Sequence, residues 1–315
     1  MEEIGRLAAS SWQHTLKSSI RCTGVGLHTG DKVTMELHPA AANSGIVFRR
    51  TDVTGNLRDI PARYDFVGGT KMCTTLVNEA GISVSTVEHL MAALAGCEID
   101  NALVTLNRPE VPIMDGSAEP FVFLIECAGT AEQDEPRHAI QVLHPVTVQD
   151  GDSIARLEPA DGFSIEFGID FDSAVIGRQN FVMDLSPDAF KTDISRARTF
   201  GFLHEVEALR NAGLGQGGSL ENVVVVDGDE VMNSDGLRFD NEFVRHKVLD
   251  CIGDMYLAGG PLIGRFSGVR AGHGLHHKLL ETLFAEDAAW TTISMDRRLP
   301  PGASGWGTEA IAATA

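Results

Sequence analysis

Basic residues are scarce in this chain. Of its 315 residues, 25 are Lys or Arg against 44 Asp or Glu, a formal net charge of −19. That balance argues against a nucleic-acid partner, because phosphate backbones are bound through a basic footprint. A small anionic substrate stays compatible only through a local cluster of arginines and lysines. Cysteine is sparse as well. Cys22, Cys73, Cys97, Cys127 and Cys251 are scattered, odd in number and form no C-x-x-C pair. A disulfide framework and a thiolate metal site are not expected, and a reducing, cytoplasmic setting fits best. No apolar run approaches the ~20 residues that cross a bilayer, so the chain is not expected to be an integral membrane protein. The opening MEEIGRLAASSWQH lacks the apolar centre of a signal peptide. Residues 1–10 and 303–315 read as loose tails, and a monomer is the default expectation.

What is there is a globular composition, 43% hydrophobic and 22% charged, enough for a sizeable core. The length suits two domains or one large one. DKVTMELH (31–38), NALVTLN (101–107), FSIEFGIDF (163–171) and ENVVVVD (221–227) read as strands, by alternation or by β-branched content. STVEHLMAALAG (85–96) and EFVRHKVLDCIGDMYLAGG (242–260) read as helices that stop at glycine. The order echoes between halves. A His-bearing helix near 86–95 leads to a strand near 101–107 and a helix near 118–128. A second, at 243–257, leads to a strand near 262–269 and a helix near 274–285. The acidic stretch TAEQDEPRH (130–138) reads as the linker between them. The expectation is an α+β chain of two similarly built domains, 12–132 and 138–300. GLGQGGS (213–219) precedes a strand and lacks a following GK[ST], so it reads as a flexible insertion and not as a nucleotide loop.

Several segments carry chemistry-bearing residues. His246 and Asp250 stand one helical turn apart, so both project from one face. They are either a local hydrogen-bonded pair or two ligands of a metal ion. Asp254, a turn further on, is either a solvated carboxylate or an acceptor that orients a histidine. Glu88 precedes His89 at a helix start. Ser85 and Glu88 satisfy the S-x-x-E capping spacing, yet a carboxylate beside a ligand histidine also suits a general base. His273 lies between glycines in AGHGLHHKLL, exposed and mobile enough for acid catalysis or oxyanion stabilisation. In SRARTFGF, Thr199 is a candidate oxyanion donor, and Arg196 and Arg198 suit a phosphate or a buried ion pair. Asp115-Gly116 reads as a plain turn, with Ser117 placed to cap the helix after it.

Together these pieces resemble the UDP-3-O-acyl-N-acetylglucosamine deacetylases, the metal-dependent amidases of lipid A biosynthesis in Gram-negative bacteria. The matching segments are TGVGLHTG (23–30), STVEHLMAALAG (85–96), IDN (99–101), VPIMDGSA (111–118), SRARTFGF (195–202), GLRF (236–239), EFVRHKVLD (242–250) and GHGLHHKLL (272–280). They run in order from about residue 15 to 285. Any one is weakly specific; the set is highly so.

The resemblance implies two domains of similar topology with the active site at their junction. It implies a catalytic zinc (Zn2+) held by His89, His246 and Asp250, with ferrous iron (Fe2+) an acceptable occupant of the same donors. It implies Glu88 as general base, His273 as general acid or oxyanion stabiliser, Thr199 at the carbonyl oxygen and Asp254 orienting His273. Lys247 would face the substrate's diphosphate side, on the cleft's flank and away from the metal. Phe200, Arg198, Met72 and Cys73 complete the candidate substrate-binding set. An insert near 204–232 would line an apolar passage for the acyl chain. The implied reaction is hydrolysis of the N-acetyl amide of UDP-3-O-acyl-N-acetylglucosamine. The competing reading is a non-catalytic binder of an acylated nucleotide sugar whose metal is structural. Glu88 discriminates between them, since a structural site needs no base and usually fills all four positions.

Overall fold

The computed structural model describes residues 10–296 apart from Asn56. Nearly all of the two expected tails, and the end of the 138–300 span, lie outside the described residues. In the first half the strands are β1 (Trp12–Leu16), β2 (Ile20–Val25), β3 (Lys32–Pro39), β4 (Ile46–Arg50) and β5 (Asp59–Pro61). Short strands β6 (Val67–Gly69), β7 (Thr75–Val77) and β8 (Ser83–Val84) follow, then helix α1 (Glu88–Gly96), β9 (Ala102–Leu106), α2 (Glu119–Ala128) and β10 (Thr130–Pro136). The main sheet runs β2-β3-β9-β4-β5, antiparallel except for the parallel pair β4–β9.

The second half repeats this order. It holds β11 (His138–Val142), β12 (Val146–Asp150), β13 (Ser153–Glu158), β14 (Phe163–Asp170) and β15 (Arg178–Asp184). An insertion carries the one-turn α3 (Pro187–Ala189), β16 (Phe200–Phe202), α4 (Leu203–Asn211), β17 (Val224–Asp227) and β18 (Glu230–Val231). Then come α5 (Glu242–Tyr256), β19 (Leu262–Val269), α6 (His273–Ala285) and β20 (Trp290–Ser294). Antiparallel β12–β13 and β13–β19, parallel β14–β19 and antiparallel β14–β15 reproduce the first sheet pair by pair. Even the flanks correspond. β1 pairs antiparallel with β10 and bridges parallel to the start of β9 at Thr15–Asn101, as β11 pairs with β20 and with the start of β19. The echo in the sequence is therefore a repeat of topology. The two insertions, β6–β8 and α3–β18, fall at the same point of each half, just before the His-bearing helix.

Alternation explains the sheets. Val33, Met35 and Leu37 point inward and are fully buried, as are Ile165 and Phe167 of β14. The stretch 130–138, expected as a linker, is instead largely strand β10, which takes up β1 as its partner. Its burial alternates, with Glu132 and Asp134 partly or fully open to water. Charge on an edge strand protects the edge, and that same charge made it read as linker.

Helices α1 and α5 pack on each other between the two sheets, so both are buried nearly all round. Gly253 makes the close crossing possible: a Cβ there would overlap the backbone carbonyl of Glu88. One stripe of α5 is polar although buried. Glu242, His246, Asp250 and Asp254 follow at four-residue spacing, each 3% exposed or less. Buried polar groups are tolerated only when partnered, and the partners of this stripe build the site.

Candidate metal centre and active site

The stripe begins away from the centre. Glu242 takes the guanidinium of Arg198, from Nε to Oε1 at 2.8 Å and from Nη2 to Oε2 at 3.1 Å. Of the two roles the sequence allowed Arg198, the structure shows the buried ion pair, and Arg198 is not part of the cavity wall. Arg196 faces Glu119 at 3.7 Å, half exposed.

Next, His246 Nδ1 meets the carbonyl of Ala197 at 3.1 Å. That bond sets the tautomer and leaves the Nε2 lone pair free. His246 Nε2 lies 3.4 Å, and His89 Nε2 of α1 lies 3.5 Å, from Asp250 Oδ1. These distances exceed ordinary hydrogen-bond length, and Oδ1 is buried with no hydrogen-bond partner. The three ligand atoms lie within 4.8 Å of one another. Burial brings the His246 pKa down to about 4, though Asp250 pulls the other way, so the imidazole is neutral and able to ligate at neutral pH. Burial works against an ionised Asp250, but His246 and Lys247 outweigh it and hold the carboxyl well below its usual range. Two imidazoles around an orphaned carboxylate oxygen form a cradle that a divalent cation would satisfy. The donor set fits zinc, and ferrous iron equally.

Lys247 departs from expectation. Its Nζ donates to Asp250 Oδ2 at 2.7 Å, so it reaches the outer oxygen of the Asp250 carboxylate and not the flank alone. The long stem spans the one-turn gap to residue i+3, and the amine still lines the cavity.

Glu88 is the first residue of α1 and 3% exposed. The capping box does not form: Ser85 donates to the carbonyl of Pro109 at 3.1 Å, and Glu88 Oε2 accepts the Thr74 N–H at 3.1 Å. Between them Thr86 takes a left-handed backbone with φ +57°, so the helix starts later than the spacing suggests. Burial raises the Glu88 pKa, against the pull of His273 and His89.

His273 opens α6, and its side chain is only 10% exposed, not the mobile loop histidine expected. Its Nδ1 binds Asp254 Oδ2 at 2.7 Å and its Nε2 lies 3.8 Å from Glu88 Oε1. Burial disfavours its charge, but Asp254 and Glu88 outweigh burial and push its pKa up to about 9. Asp254 also receives His276 Nδ1 at 2.8 Å and the Thr74 hydroxyl at 2.6 Å. The sequence gives no role to His276 or Thr74; one threonine of the pair in KMCTTL carries no local signal.

A cavity of about 540 Å³ runs from these groups into the second insertion. At one end stand Glu88, Thr199, Lys247 and His273; at the other, Phe171, Phe202, Val206, Leu209, Val223 and Val225 form an apolar wall. Phe200 and Met72 also line it. Cys73 does not: it is 5% exposed, and burial pushes its thiol up to about 11. His28, another residue without an earlier role, lines the polar end.

A duplicated α+β fold, a two-histidine, one-aspartate cradle between its halves and a buried carboxylate beside that cradle are the anatomy of a metallohydrolase. The family model described as LpxC, UDP-3-O-acyl N-acetylglycosamine deacetylase, matches residues 13–285. Proteins named UDP-3-O-acyl-N-acetylglucosamine deacetylase are similar over nearly the whole chain. That of Shewanella frigidimarina is 51% identical over 288 residues, covering 91% of this chain and 94% of the relative. That of Teredinibacter turnerae is 54% identical over 286 residues, 90% and 94%, and that of Hahella chejuensis 53% over 286 residues, again 90% and 94%. The chain belongs to this deacetylase family.

Proposed function

We propose that this chain hydrolyses the N-acetyl amide of UDP-3-O-acyl-N-acetylglucosamine, releasing acetate and the free amine, as a step of lipid A biosynthesis. The observation that carries the reading is Glu88. It is a buried carboxylate next in sequence to one cradle histidine, 3.8 Å from a second titratable group and open to an apolar cavity. A purely structural metal site has no use for it. His89, His246 and Asp250 would hold the ion, Zn2+ or Fe2+, leaving a position open. When bound, the ion lowers the pKa of a water towards about 7 and polarises a carbonyl.

Glu88 accepts the proton of the attacking water, and its raised pKa makes it a stronger base than a solvated carboxylate. His273 is protonated at neutral pH, so with Thr199 it faces the developing oxyanion with a positive charge and a hydroxyl. The proton then passes to the leaving amine, from Glu88 or His273. Asp254 holds the His273 ring and its charge. Lys247 is the cation that lines the cavity beside the cradle and suits the diphosphate side, while the phenylalanine and leucine wall suits the acyl chain. Arg198, spent on Glu242, is not assigned to substrate. The cradle is complete within one chain, which supports a monomer, and the five free cysteines suit the cytoplasm. Among the described residues no helix is long and apolar enough to cross a membrane.

Acetate release from the acylated UDP-sugar tests the reading. Glu88→Ala is expected to keep its metal and lose at least about 100-fold in turnover, the scale of a general base. His246→Ala is expected to lose the metal itself. Full activity in Glu88→Ala would overturn the mechanism.

A further inference from the structure

Glu110, wholly buried on the connection between β9 and α2, takes no part in the chemistry above, yet it has four donors. Its Oε1 accepts the His28 N–H at 2.8 Å and the Thr86 hydroxyl at 3.0 Å. Its Oε2 accepts the Thr29 N–H at 2.9 Å and the Thr29 hydroxyl at 2.7 Å. One carboxylate thus ties the turn between β2 and β3 to the left-handed residue that precedes the Glu88 helix. The turn is moulded around it: a Cβ on Gly26 would overlap Oε2 of Glu110 and the Thr29 hydroxyl.

The other side of the same turn meets the glycine-rich loop at 213–219, which is anchored and not free. Gln216 N–H donates to the His28 carbonyl at 3.2 Å and Gly217 N–H to the Leu27 carbonyl at 3.0 Å. A Cβ on Gly217 would overlap the Gly26 carbonyl. Glycine here allows backbone to lie on backbone across the two halves. Leu27, His28, Thr86, Gly215 and Gly218 all line the cavity. His28 is 8% exposed, and neither of its ring nitrogens has a hydrogen-bond partner, so its place on the wall is set by its backbone.

We propose that Glu110 is a positioning residue that fixes the Leu27–His28 wall of the substrate cavity and, through it, the seat of the glycine-rich loop. The inference rests on the reading of this cavity as the deacetylase site. Glu88 has its own anchor in the Thr74 N–H, so loss of Glu110 acts on substrate binding and spares the base.

Glu110→Gln tests this. An amide cannot accept on both sides, so one backbone N–H, of His28 or Thr29, is left facing an N–H. The expected result is a KM for the acylated UDP-sugar at least tenfold higher, kcat within threefold and an unchanged metal content. Amide exchange at His28, Thr29, Gln216 and Gly217 should quicken at least tenfold while α1 and α5 keep their protection. A global loss of structure would instead lower the active fraction at constant KM. Wild-type KM with wild-type exchange, or a kcat loss at unchanged KM, overturns the proposal. If Glu110→Gln does not fold, Gly26→Ala decides: it keeps the carboxylate but displaces it, and a wild-type KM there overturns the proposal. Should the unmutated enzyme release no acetate, the deacetylase reading falls, while amide exchange in Glu110→Gln still decides what Glu110 does.

Discussion

At the residue scale the site is a set of opposed pKa shifts. In the proposed mechanism Glu88 must be deprotonated to act, and burial has raised its pKa, so activity should be lost as pH falls through that raised value. His273 must be protonated, and Asp254 and Glu88 hold it so up to about 9 against burial. The expected profile of kcat/KM is a bell: rising with pH as Glu88 loses its proton, falling as His273 loses its own. Asp254→Asn removes the charge that supports His273, so the alkaline limb should move down towards the ordinary imidazole value near 6.5, with kcat reduced. An alkaline limb unmoved in that variant would remove Asp254 from the assignment. His273 also makes stability depend on pH. Its folded pKa is above the unfolded one, so its contribution to stability is complete below about 6.5 and fades as pH rises through about 9.

At the element scale the decisive feature is the contact of α1 with α5. His89 rides on one helix, His246 and Asp250 on the other, so the spacing of the helices sets the spacing of the candidate ligands. Gly253→Ala forces a methyl against the Glu88 carbonyl. The expected loss is about 1–3 kcal/mol of stability, the usual cost of overpacking, together with weaker metal binding. Chemical denaturation and metal titration of the same variant check both; a stable variant with unchanged metal affinity would show that the helices have slack. Both helices were legible in the sequence, from helix formers and a glycine near the end. The start of α1 was not, because Thr86 turns left-handed, its hydroxyl bonded to Glu110, a residue 24 positions away. β10 was misread for a related reason: its partner β1 lies more than a hundred residues upstream, and an edge strand keeps the charges that usually mark a linker.

At the scale of the whole molecule the cradle clamps two halves. Candidate ligands from both halves predict that an ion binds the folded chain and not the unfolded one, so it should stabilise by mass action, about 2.7 kcal/mol at a hundred times Kd. Tm should rise with added zinc in the unmutated enzyme, fall with a chelator, and lose this dependence in His246→Ala; a Tm indifferent to metal would argue against the cradle. The sequence by itself determined the α+β class, the helix–strand–helix order that closes each half and the residue types of the site, because periodicity and spacing along one helix are local properties. It also placed His246 and Asp250 on one face of one helix. Only the tertiary structure decided which local alternative held. It brought His89 to that pair across the junction of the halves, left Asp250 Oδ1 without a partner, and gave Arg198 to Glu242. It drew Lys247 onto Asp250 and tied the His28 turn to Glu110. Each of those outcomes depends on a partner far away in sequence, and burial makes the partner obligatory.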